Sequence, residues 1–142
     1  MIRLATLQVL ITSILLSNNN HPIILVHGFL GWGKEEVGDK NYWGGENDIE
    51  KYLNDRGYQV YSVSLGPVSS TYDCAIETFY QIKGGQVDYG QEHSEKYKII
   101  RKPEGKVYKG LYPEWNKENP VHLIGYSSVS YTHLRAHETR RY

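Results

Sequence analysis

Apolar residues along this chain gather in short runs separated by turn residues. Ile23-Ile24-Leu25-Val26 is continuous, rich in β-branching and stopped by His27-Gly28. That pattern predicts a strand buried on both faces of a parallel sheet. Gln59-Val60-Tyr61-Ser62-Val63-Ser64-Leu65 alternates and predicts a second strand, ended by Gly66-Pro67. Val121-His122-Leu123-Ile124 predicts a third. Asp48 is placed to cap a helix running through Asn54, with Ile49, Tyr52 and Leu53 on one face and Gly57 as the stop. A second helix is predicted from about Tyr72 to Lys83, closed by Gly84-Gly85. Strands alternating with helices predict an α/β domain around a mostly parallel sheet. From about 86 to 119 this periodicity is lost in a polar, Gly- and Tyr-rich stretch, expected to be an irregular insertion.

The first 20 residues are a separate unit. Arg3 precedes an apolar stretch from Leu4 to Leu16, and polar Ser17-Asn18-Asn19-Asn20 follows. The stretch is short and interrupted by Gln8, Thr12 and Ser13, so a stable membrane span is not expected. It is read as an export signal, which makes the protein secreted; an ordinary amphipathic helix is the alternative. The 142 residues hold 16 basic and 16 acidic side chains, so no field favours nucleic acid. Cys74 is the only cysteine, which excludes an internal disulfide and any paired-cysteine metal site. It is expected to be a small buried hydrophobe.

Two places carry candidate chemistry. Gly125-Tyr126-Ser127 follows the last strand, and a strand turning sharply into a serine presents the hydroxyl as a nucleophile. Serine needs a base to take its proton before it attacks. His27-Gly28-Phe29 follows the first strand, where a backbone N–H can be aimed at an oxyanion, with the residue after the serine, Ser128, as second donor. Read alone, each place is also ordinary turn chemistry, and Asp73 and His93 read as a helix cap and a surface residue.

Longer motifs change that balance. His27-Gly28-Phe29-Leu30-Gly31-Trp32-Gly33, Tyr42-Trp43-Gly44-Gly45, Gly66-Pro67-Val68-Ser69-Ser70, Gly84-Gly85-Gln86-Val87-Asp88-Tyr89-Gly90 and Tyr112-Pro113-Glu114-Trp115 occur in order over residues 21–127. Together they resemble the secreted triacylglycerol lipases of the staphylococcal and thermophilic-bacillus type. The resemblance implies an α/β-hydrolase fold for residues 21–128 and ester hydrolysis by a serine, histidine and acid, without a catalytic cofactor. It implies Ser127 as nucleophile, Phe29 and Ser128 as oxyanion-hole positions, and a lipid or ester substrate at an oil–water interface. No protein partner is implied. It places Asp73 and His93 on two of four ligands of a structural zinc site.

This chain departs from the pattern at three points. Ile99 stands about where a second zinc histidine is expected, leaving a partial site. Tyr126 precedes the serine in place of histidine, and Val129 replaces the expected glycine. Residues 129–142 resemble a translated sequencing adaptor and are read as a non-native tail, so His133 and His137 are refused as the catalytic base. The triad acid and histidine are expected after Ser127, beyond the last residue, so the chain is read as the first part of such an enzyme and inactive as written. A phospholipase or another serine hydrolase on the same fold, or a non-catalytic secreted binding domain, are the alternatives.

Overall fold

The computed structural model describes residues 20–34 and 36–127. The apolar N-terminal segment, Ser128 and the 129–142 segment therefore lie outside the described residues. Eight elements follow in order: β1 (Ile23–Val26), α1 (Ile49–Asn54), β2 (Val60–Val63), α2 (Thr71–Lys83), β3 (Gly85–Gln86), α3 (Gln91–Tyr97), β4 (Val107–Tyr108) and β5 (His122–Gly125).

The main sheet has the order β2-β1-β5, parallel throughout, with Ile24 opposite Tyr61 on one side and Leu123 on the other. As the middle strand, β1 buries Ile24, Leu25 and Val26 almost completely, which is why its sequence is a run and not an alternation. Ile24, Val26, Val63 and Leu65 meet Cys74 and Ile82 of α2 in the core, with Leu111, Tyr112 and Trp115 packed around them. Burying aliphatic side chains of this size is worth about 1.5–3 kcal/mol each.

Both predicted helices form. The Asp48 carboxylate accepts from the Lys51 N–H at 2.8 Å and starts α1. Asn54 at its end bonds both the N–H and the C=O of Val60, turning the chain directly into β2. Ser70 caps α2 through the Asp73 N–H. Gly84 closes it at φ 88, a backbone region where side chains are strained. The buried face of α2 carries Cys74, Ala75, Glu77, Thr78, Gln81 and Ile82, a helical spacing with an acid and an amide inside it.

The insertion is irregular over most of its length, as its loss of periodicity predicts, with short regular elements set into it. It holds α3 and an antiparallel pair, β3 with β4. These elements are two to seven residues long, too short for hydrophobic periodicity to register. The returning chain then satisfies the end of α2, with Leu111 N–H donating to Gln81 O at 2.8 Å and Tyr112 N–H to Ile82 O at 2.9 Å.

Candidate functional site

The chain leaves β1 for β2 on one side and returns as β5 on the other. A crevice outside the carboxyl ends of parallel strands, at such a switch, is where α/β sheets bind ligands. The end of β1 carries His27-Gly28-Phe29 and the end of β5 carries Ser127.

The two ends touch. A Cβ added at Gly28 would lie 2.8 Å from the Tyr126 carbonyl oxygen and 2.9 Å from Ser127 Cβ. Only glycine allows that approach. Ser127 sits at φ 64, a region a serine occupies at a cost. Strain of this kind is the backbone signature of a serine displayed at a sharp strand-to-helix turn. The structure thus brings Ser127 and the Gly28-Phe29 loop together.

The loop is held from several sides. His27 is buried, and its Nε2 accepts from the Leu65 N–H at 2.9 Å. That acceptor role puts the ring proton on Nδ1, which donates to Gly28 O at 3.0 Å. Gly28 O also accepts from Gly31 N–H, and Gly28 N–H donates to the Tyr42 hydroxyl at 3.2 Å. Leu30 sits at φ 56, with its N–H bonded to Pro67 O at 2.8 Å. Among the described residues, nothing accepts from the Phe29 N–H. The Phe29 and Leu30 side chains, next along the chain from Gly28, and the Val68 side chain are exposed.

The chain beyond β2 is bonded by side chains, and among the described residues no further strand pairs with it. Gln81 bonds both Ser64 N–H and Ser64 O, at 2.8 and 2.5 Å. His27 takes Leu65 N–H, and Glu77 takes Gly66 N–H at 3.3 Å. Sequence reading passed over Glu77 and Gln81, whose signal was polar residues at i+3 and i+7 from Cys74 on a face shared with Ala75, Thr78 and Ile82. On the same face the Cys74 thiol is pushed up to about 11, first by burial and then by the Glu77 and Asp73 charges, so it stays protonated near neutrality.

Asp73 and His93 are also brought together. His93 Nε2 lies 2.8 Å from Asp73 Oδ1, and the other carboxylate oxygen accepts from Ser70 Oγ at 2.7 Å. The ring stacks on Tyr72 at 4.1 Å and faces Tyr97 at 4.7 Å. These donors are spent on each other and on the cap. Among the described residues no three His, Cys, Asp or Glu side chains converge, whereas a structural zinc needs four ligands. Ile99 is half-exposed. The described residues do not fit a closed zinc site.

A parallel sheet layered with helices, with a strained serine at a strand end against a glycine loop, defines a mixed α/β domain. The chain belongs to the family described as the lipase-like, C-terminal domain, whose model matches residues 19–141. A lipase of Staphylococcus epidermidis is 41% identical over 128 residues, 87% of this chain and 18% of that protein. Lipase 1 from Pelosinus fermentans superposes with a TM-score of 0.79 at 44% identity, covering 84% of this chain and 32% of that one. Staphylococcus hyicus lipase gives 0.78 at 38% identity, over 84% and 31%. The chain therefore spans about a fifth of the curated relative and about a third of each solved structure. Among the described residues no helix is long and apolar enough to cross a membrane.

Proposed function

We propose that this chain supplies the nucleophile and oxyanion loop of a secreted carboxylic-ester hydrolase of the α/β-hydrolase fold, acting on acylglycerols. The observation that carries this reading is Ser127 at φ 64 beyond β5, pressed against Gly28. Ser127 Oγ attacks the ester carbonyl as a base takes its proton. The Phe29 N–H receives the developing oxyanion, and the N–H of the residue after the nucleophile, Ser128, is the second donor this fold calls for. His27 is not the base, because the Leu65 N–H occupies its Nε2 and Gly28 O its Nδ1. In this fold the acid and the histidine follow the serine in chain order, and the residues up to Ser127 leave both roles to later chain. Exposed Phe29, Leu30 and Val68 give the site an apolar rim suited to an acyl chain. The chemistry uses no cofactor, and zinc has no part in it.

A hybrid tests the reading, with residues 21–127 in place of the matching segment of Pelosinus fermentans lipase 1. It is expected to hydrolyse p-nitrophenyl butyrate and to lose up to about a millionfold of turnover on Ser127→Ala. A folded but silent hybrid, or one whose activity survives Ser127→Ala, would refute it. The 142-residue chain alone is expected to be silent in the same assay.

A further inference from the structure

The most buried charged group in the described chain is Glu77, 1% exposed on the inner face of α2. A carboxylate placed there requires charged or hydrogen-bonding partners. It has three, from two different parts of the chain. Lys106 Nζ lies 2.6 Å from Glu77 Oε1, and the Tyr89 hydroxyl donates to the same oxygen at 2.7 Å. The other oxygen, Oε2, accepts from Gly66 N–H at 3.3 Å. Lys106 also donates to the Tyr89 hydroxyl at 2.9 Å, closing a triangle. Lys106 and Tyr89 belong to the insertion, whereas Gly66 belongs to the chain leaving β2.

The next bond runs on from Gly66. Pro67, its neighbour, accepts from Leu30 N–H at 2.8 Å, and Leu30 adjoins Phe29. The Tyr89 phenol is held protonated by burial and by the Glu77 carboxylate, so it remains a donor. One continuous set of bonds therefore runs from the insertion through a buried anion to the loop beside Ser127.

We propose that Glu77 is a positioning residue through which Lys106 and Tyr89 of the insertion fix the Gly66-Pro67 segment and, with it, the oxyanion loop at Phe29-Leu30. The insertion is then a brace for the site as well as a lobe beside it. Removing the cation leaves Glu77 buried with two neutral donors, a state that water entry or retreat of the carboxylate relieves. Either response loosens the Gly66 bond, and strained Leu30 (φ 56) is freed to relax. The bearing of this brace on catalysis rests on the ester-hydrolysis reading; its bearing on the loop does not.

Amide hydrogen exchange on the full chain reads the loop directly. Lys106→Met is expected to speed exchange at Gly66 and Leu30 about tenfold relative to the β1 amides, and Lys106→Arg to restore it. Tyr89→Phe removes only the hydroxyl and should act in the same direction more weakly; it decides the matter if Lys106→Met does not fold. Unchanged exchange at Gly66 and Leu30, or an equal rise throughout β1, overturns the brace. In the hybrid enzyme, Lys106→Met should lower kcat with KM unchanged, and an unchanged kcat overturns its catalytic bearing. A hybrid silent before any such substitution sinks the ester-hydrolysis reading alone, leaving exchange to decide the brace.

Discussion

Gly28 is where a single atom matters most. Its missing Cβ is the space that Tyr126 O and Ser127 Cβ occupy, at 2.8 and 2.9 Å from where that carbon would stand. Both neighbours are constrained, one as backbone and the other at φ 64. Gly28→Ala must therefore push β1's exit away from β5's exit. Overpacking of this kind typically costs about 1–3 kcal/mol. Urea unfolding should show the loss, and in the hybrid enzyme activity should fall further than stability alone explains. An alanine variant with wild-type stability and turnover would mean that the two ends are not in contact. The importance of Gly28 was readable from the His-Gly pair after a buried run. Its cause was not, because Ser127 lies 99 residues away and no local pattern reports that contact.

At the scale of elements, legibility followed periodicity. The run at β1 and helix α2 were plain because burial on both faces or one face leaves a pattern, whereas α1 was legible from its Asp48 cap and buries no residue, its Ile49 and Tyr52 standing exposed. The strand predicted over Gln59–Leu65 is shorter than its alternation, ending at Val63. Its last residues keep the alternation but leave the sheet and bond to side chains. Those side chains are Gln81 of α2 and His27 at the end of β1, so the alternation there reports packing and not pairing. In the insertion, β3 and β4 have two residues each and α3 has seven, too short to carry a period that the sequence could show. The dependence of the β2 exit on α2 gives a direct expectation. Gln81→Leu preserves volume but strips partners from both Ser64 N–H and Ser64 O. Each buried group left unpaired costs about 1–3 kcal/mol. The urea midpoint should fall accordingly, with the m-value unchanged. A neutral outcome would show that water replaces the amide without loss.

Across the whole molecule, the sheet sets the site and the insertion is fastened to it by charge. Besides the buried Glu77 clip, the insertion is tied internally by Asp88, which takes two bonds from Arg101 at 2.7 and 2.8 Å and one from Gly90 N–H at 2.9 Å. The Arg101 hydrogen bonds come first among the causes that hold the Asp88 carboxyl well below the usual carboxylate range, against a smaller opposing effect of burial. The sign follows from that depression. In the unfolded chain Asp88 titrates near about 3.9. Above that pH both states are ionised, and the folded state keeps the full benefit of the pairing. As pH falls below it, the unfolded chain takes up a proton that the folded chain still refuses, and stability declines. Arg101→Met should therefore lower the urea midpoint at pH 6, and the gap between variant and wild type should close as pH approaches 2. Arg101 is solvent-exposed, so added salt should narrow the gap at pH 6 as well. A gap that widens in acid would mean that Arg101 stabilises the insertion through something other than the Asp88 carboxylate.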